Sequence, residues 1–249
     1  MTKLEELEQD LSYLKLHKTF ELIQNKIETN ELSDEIINFM CEMCSHEKIQ
    51  KQLSAANAVV RVANFPHLKT INDFNFKFQP SINEMKIVDL TSCKFIESAQ
   101  NIVFVGTPGV GKTHLATSIG IAAGQKRISV YFIKCSKLLQ NLRVAFNENR
   151  LDERLKHYKK YKLLIIDELG FLPIDEIDEK LLFQLVDMRY EHKSTIFTSN
   201  ITIDKWHTIF TNQTIATAIV DRIVHHSYLF QINGTSYRLK DKIEKSAES

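Results

Sequence analysis

Flexible backbone is scarce in this chain: of 249 residues only 7 are glycine and 4 are proline. That excludes collagen-like and proline- or glycine-rich low-complexity architectures. Cysteine is also sparse, at Cys41, Cys44, Cys93 and Cys135. Cys41-x-x-Cys44 has the spacing of half a zinc site, but no second pair or spaced histidine pair follows it, and two cysteines three apart in an apolar helical pattern suit a core face. No long hydrophobic run occurs. The longest strongly apolar run, 163–166, is far too short to span a bilayer, and the first 20 residues carry no apolar signal-peptide core, so the expected compartment is a reduced cytoplasm. Charge of neither sign dominates, with a net of +1, 43% hydrophobic and 25% charged residues. This is the balance of an ordinary globular protein, which leaves the disordered and membrane classes out.

The few glycines that occur are concentrated. Gly106, Pro108, Gly109 and Gly111 fall within six consecutive positions. They belong to Gly106-Thr107-Pro108-Gly109-Val110-Gly111-Lys112-Thr113-His114, which follows an apolar strand pattern and opens a helical one, the context a phosphate-binding loop requires. Glycines there let successive backbone N–H groups turn toward a β-phosphate at the positive end of the next helix. Lys112 is expected to supply a charge to the β- and γ-phosphates, and the Thr113 hydroxyl a ligand to Mg²⁺.

A second apolar strand, 162–166, delivers Asp167 and Glu168 at its C-terminal end, where ligands sit in open α/β sheets. Asp167 is assigned to the Mg²⁺ shell and Glu168 to polarising the attacking water. Asn200, in Thr198-Ser199-Asn200 at the next strand tip, is a candidate for the γ-phosphate or the lytic water. An ordinary strand-to-turn asparagine is the competing reading. Arg222 is the candidate for an arginine finger reaching a nucleotide on a neighbouring subunit, with Arg189 and Arg238 as rivals. An Asn-Lys-x-Asp guanine signature is missing after the loop, so the nucleotide is assigned as ATP by exclusion.

The chain divides by pattern into an N-terminal helical domain, 1–66, and an ATPase domain, 67–249. In the first, Leu4, Leu7, Leu11 and Leu14 recur at helical spacing, Phe20, Ile23 and Ile27 continue the stripe, and Ser33 N-caps a second helix. The helical pattern resumes at 49–63 and stops before Pro66. A linker, 70–80, uses Phe74, Phe76 and Phe78 to pack on something. Strands are expected at 101–105, 129–134, 162–166, 195–198 and 227–232, alternating with helices at 112–124, 136–146, 177–190 and 214–223. Continuous Val, Ile, Leu and Phe in the strands indicates burial on both faces, hence a three-layer α/β P-loop fold with a parallel sheet.

Charge is unevenly placed. Residues 1–64 carry 7 basic and 11 acidic residues, whereas 137–162 holds 8 basic and 3 acidic ones. Arg143, Arg150, Arg154, Lys156, Lys159, Lys160 and Lys162 are therefore the candidates for contact with a DNA backbone, a contact that carries no sequence information. A solvated helix face is the competing reading.

These strings together resemble the IstB-type ATP-binding proteins of bacterial insertion sequences, relatives of the DnaC-type helicase loaders within the AAA+ ATPases. The resemblance rests on Phe65-Pro66-x-Leu68-Lys69-Thr70-x-x-Asp73-Phe74, Gly111-Lys112-Thr113-His114-Leu115-Ala116, Asp167-Glu168-Leu169-Gly170-Phe171-Leu172-Pro173, Leu182-Phe183-Gln184-Leu185-Val186, Asp221-Arg222-Ile223 and Gly234-Thr235-Ser236-Tyr237-Arg238-Leu239, and spans about 60–240. It implies an ATP-dependent helper that forms homo-oligomers on double-stranded DNA, bends it and presents it as target to a separate transposase. A helicase loader and a nucleotide-gated switch with little turnover remain as alternatives. The helix before Phe65-Pro66, often arginine-rich in such proteins, offers only Lys51 and Arg61 here, so the acidic N-terminal region is assigned to self-association or partner contact. No set of three spaced carboxylates for strand transfer is recognisable, and transposase chemistry is not assigned to the chain.

Overall fold

The computed structural model describes residues 2–239, so the last ten residues of the expected ATPase domain lie outside it. The chain forms two compact units, the first ending at Ala58 and the second beginning at Val59.

The first unit is helical. Helix α1 (Lys3–Leu14) starts at a capping box in which Thr2 and Glu5 exchange side-chain and backbone hydrogen bonds. It stops at Lys15, whose φ of 64° is left-handed, which breaks the single stripe read from Leu4 to Ile27. Helix α2 (His17–Glu28) follows. Helix α3 (Asp34–Val62) runs without interruption through both helical patterns read separately between 33 and 63. Leu7, Leu11, Leu14, Ile23 and Cys44 form the core of this unit, and the Lys48 ammonium pairs with Asp10 at 2.5 Å. All four cysteines are free thiols.

The second unit is built on a five-stranded sheet of β1 (Asn101–Gly106), β2 (Val130–Lys134), β3 (Leu163–Leu169), β4 (Ser194–Ser199) and β5 (Ser227–Ile232). Its spatial order is β2-β3-β4-β1-β5, and every pair is parallel. The strand alternation splits the core in two. Val103, Val105, Leu164, Ile166 and Phe197 face one side, while Ile102, Phe104, Leu163, Ile165 and Ile196 face the other. Each such side chain, fully buried, contributes about 1.5–3 kcal/mol.

Helix α4 (Glu84–Leu90), the short α5 (Lys94–Glu97) and α6 (Lys112–Gln125) place Ile87, Leu90, Phe95, Leu115 and Ile119 on the second side. Helices α7 (Cys135–Asn147), α8 (Leu151–Lys159), α9 (Glu176–Arg189) and α10 (Gln213–Val224) cover the first. The result is the expected three-layer α/β fold. The linker aromatics Phe74 and Phe76 pack on the α6 side of the core. The edge of β2 is closed by Ala63 and Asn64, which exchange hydrogen bonds with the Phe132 backbone at 2.8 and 3.0 Å, so that edge is not left open to another strand. Among the described residues no helix is long and apolar enough to cross a membrane.

Candidate nucleotide site

The glycine loop joins β1 to α6. Gly109 and Gly111 sit at φ of +86° and +102°, where a β-carbon would meet the Ser236 hydroxyl at 2.0 Å and the Phe74 ring at 2.5 Å. Both the backbone angle and the space therefore demand glycine. Lys112, first residue of α6, turns its ammonium back into the loop and donates to the carbonyls of Gly106 and Thr107 at 2.7 and 2.8 Å. Burial lowers its pKa, while the charges of Asp167 and Glu168 oppose the shift and that of Arg238 adds to it. Three charged groups thus act on one ammonium. Val110 is fully buried and anchors the loop to the core.

Strand parity explains which side chains meet there. Asp167 and Thr198 have the parity of Ile165 and Ile196, which face α6. Thr113 comes down from α6 to meet them. Its hydroxyl donates to Asp167 Oδ1 at 2.9 Å, and the Thr198 hydroxyl donates to the same oxygen at 2.6 Å. Asp167 is 2% exposed. Burial raises its pKa, and these two hydrogen bonds pull against that shift.

The β3–β4 pairing breaks between Ile166 and Leu169, and within that irregularity Glu168 takes a left-handed φ of +62°. Such backbone is costly for a non-glycine residue and persists where surrounding contacts hold it. The Glu168 N–H donates to Thr198 Oγ1 at 3.0 Å. Its carboxylate, released from the ladder, reaches the ammonium of Lys134 at 3.0 Å. Lys134 ends β2 in register with Asp167. Asn200 is exposed immediately beyond β4, which lies between β3 and β1, so it emerges between the two acids and the glycine loop.

Two further segments frame the loop. His114 bonds the Thr70 carbonyl through Nε2 at 2.9 Å and meets Phe74 edge-on, 5.3 Å between centroids. On the other side, the Tyr237 N–H donates to the Gly109 carbonyl at 3.0 Å, and the buried Gln79 donates to the Thr235 carbonyl at 2.9 Å. The 233–239 segment is thereby strapped over the loop and carries Arg238 there.

The structure thus gathers Gly106 to His114, Asp167, Glu168 and Asn200 at one end of the sheet. It adds Thr198, Lys134 and the Arg238 strap, which sequence reasoning did not assign to that place. Thr198 was legible in principle from its parity with Ile196; Lys134 was not, because its neighbour depends on strand order.

Other candidates are placed elsewhere. Arg189, a rival for the arginine finger, is 2% exposed and spends its guanidinium on Thr195 Oγ1 and the carbonyls of Tyr158, Tyr161 and Ser194. With its pKa pushed down to about 9 by burial, it is a strut of its own core and cannot reach a neighbouring subunit. Arg222 pairs with Asp187 at 2.8 Å and lies over the Phe183 ring, so within one chain it is held on α9 and is not brought to the loop. Arg143, a DNA candidate, is clamped between Asp175 and Asp178, at 2.9 Å from the latter, and pins α7 to the start of α9. Arg150 pairs with Glu148. Arg154, Lys156 and Lys159 lie on α8, with Lys160 next to it. The helix is held down by buried Leu155 and Tyr158, and Lys156 and Lys160 are exposed.

A glycine loop between strand and helix, a buried Asp held by the loop threonine and a Glu next to it on the same strand define a nucleotide-binding core of the P-loop type. The chain belongs to the IstB-like ATP binding protein family, whose model matches residues 8–245. It is 49% identical over 97% of its length to an insertion sequence IS232 protein of Bacillus thuringiensis subsp. berliner described as ATP-binding, and covers 97% of that protein. A corresponding IS5376 protein of Geobacillus stearothermophilus is 40% identical, with 82% of this chain and 81% of that one covered. Among solved structures the DnaC helicase loader matches with a TM-score of 0.56 at 24% identity, covering 66% of this chain and 96% of that one. AMPPCP-bound DnaA from Aquifex aeolicus matches with a TM-score of 0.58 at 22% identity, covering 74% and 56%. These two likenesses establish the fold.

Proposed function

We propose that the chain is an ATP-dependent transposition helper that hydrolyses ATP with Mg²⁺, oligomerises on duplex DNA in the cytoplasm and presents it as target to a separate transposase. The observation that carries the ATPase half is the Thr113–Asp167–Thr198 cluster beside Lys112. Its donors are all oxygens, one of them a carboxylate, which suits a hard cation such as Mg²⁺. When bound there, the ion would neutralise phosphate charge. Thr113 and Asp167 would hold it, Lys112 would leave the Gly106 and Thr107 carbonyls for phosphate oxygens, and Glu168 would accept a proton from the attacking water. Lys134 holds the Glu168 carboxylate meanwhile, and Asn200 orients the water or the γ-phosphate. Arg238 adds its charge from the same chain, while Arg222 is assigned to a neighbouring subunit's nucleotide once released from Asp187.

The DNA half is supported by membership of an insertion-sequence family and by the basic face of α8. The exposed Lys156 and Lys160, with Arg154 and Lys159, supply sequence-independent phosphate contact there. The test is fluorescence anisotropy of the full chain on duplex DNA with ATP, ADP or no nucleotide, alongside ATP turnover with and without DNA. ATP-dependent binding with DNA-stimulated turnover is expected, and Glu168→Gln should remove the turnover but not the binding. Binding indifferent to nucleotide, or turnover indifferent to DNA, would refute the reading.

A further inference from the structure

At the opposite end of the sheet from the nucleotide loop, two turns bring together Glu191, His225 and His226. Glu191 lies between α9 and β4, and the histidines between α10 and β5. One ligand atom from each lies within 4.8 Å of those from the other two. Glu191 is 34 and 35 positions from the two adjacent histidines in sequence, so their meeting is a product of the fold.

Three features make the group more than a chance surface cluster. Glu191 has a left-handed φ of +58°, and its carboxylate lies 3.4 Å from His226 Nε2. The two rings of His225 and His226 are 4.0 Å apart, centroid to centroid, which is close for groups that repel when both are protonated. His225 Nδ1 is 2.7 Å from the Tyr190 hydroxyl. A hydroxyl on one ring nitrogen orients the imidazole, and an oriented ring with its second nitrogen open is the arrangement that metal-binding histidines usually have.

The backbone beneath is anchored. The Asn101 N–H holds the His226 carbonyl at 2.7 Å, and the N–H groups of His192 and Lys193 hold the Arg189 carbonyl. All three side chains are exposed, with their ligand atoms already within 4.8 Å of one another.

We infer that Glu191, His225 and His226 form a binding site for a borderline divalent transition-metal ion of the zinc class. Two imidazole nitrogens and one carboxylate oxygen match that class, and hard magnesium prefers all-oxygen shells. Three protein ligands leave a fourth position for water or for a group on another molecule. The ion ties the end of α10, the helix of Arg222, to the end of α9.

The test is zinc titration of the metal-stripped, untagged full chain by calorimetry, repeated with His226→Ala and Glu191→Gln, and with Co²⁺ for absorption. One equivalent of Zn²⁺ is expected, unaffected by millimolar Mg²⁺ and weakened at least about tenfold in each variant, while ATP turnover and the melting temperature of the metal-free variants stay at the wild-type level. Zinc should raise the wild-type melting temperature and not that of the variants. Failure to bind, equal binding by the variants, displacement by Mg²⁺, or a thiolate-to-cobalt charge-transfer band placing the ion on a cysteine would each overturn the assignment.

Discussion

The Thr198 hydroxyl is the point at which the two acids of the nucleotide site are joined. It donates to Asp167 Oδ1 at 2.6 Å and accepts the Glu168 N–H at 3.0 Å, and it is 1% exposed. Thr198→Val keeps the shape and removes both interactions. A hydrogen bond to a charged group contributes about 1.5–3 kcal/mol, and if that is lost from the reactive arrangement turnover falls about 10- to 100-fold.

The same change has a signed effect on pH dependence. Burial already raises the Asp167 pKa, and the Thr198 hydrogen bond lowers it. Without that hydroxyl the carboxyl protonates at higher pH. Activity that needs the carboxylate falls as pH drops through this value, so the acid limb of the turnover profile moves upward. The raised pKa also means that folding stability from this group is present at low pH and is lost as pH rises through the folded value. Thr198→Ser restores the hydroxyl and should restore both turnover and profile. Steady-state ATPase measurement across pH, with a melting curve at each point, reads this directly. Wild-type turnover and an unmoved acid limb in Thr198→Val, or a serine variant as impaired as valine, would refute the reasoning.

Three further outcomes follow from the geometry. Lys112→Ala should abolish ATP binding measured by calorimetry, since the loop loses the ammonium that turns back into it; retained affinity would contradict the cradle. Arg189→Met leaves the Tyr158, Tyr161 and Ser194 carbonyls and the Thr195 hydroxyl short of a donor, and should cost on the order of 3 kcal/mol in denaturant unfolding; an unchanged midpoint would show the strut to be dispensable. Arg222→Ala should lower turnover under conditions that favour assembly while ATP binding by the isolated chain survives, and loss of both would point to a folding defect from the missing Asp187 pair instead.

Much of the second unit could be read locally. The five strands were expected within a residue at each start and up to three residues at the ends. The glycine loop was expected in place because Gly109 and Gly111 answer backbone demands that the sequence itself records. Other features were not legible. The basic stretch hid helix α8, since its only buried anchors, Leu155 and Tyr158, are three residues apart among charges. The Arg143 clamp and the Arg189 strut depend on partners 32 and 31 positions away, and a cation gives no sign in sequence of whether it faces DNA or a carbonyl.

By itself the sequence determined that the chain has a phosphate cradle, that two carboxylates end a buried strand, and that helices and parallel strands alternate after a helical beginning. These follow from residue conformational limits and from hydrophobic period, both short-range properties. Tertiary structure alone decided that Thr198 shares Asp167 with Thr113, that Lys134 holds Glu168, that Arg238 joins the loop, and that two histidines meet a glutamate at the far end of the sheet. Each of those depends on which strands and turns are neighbours in the order β2-β3-β4-β1-β5, and that order is set by burying both faces of the whole sheet at once.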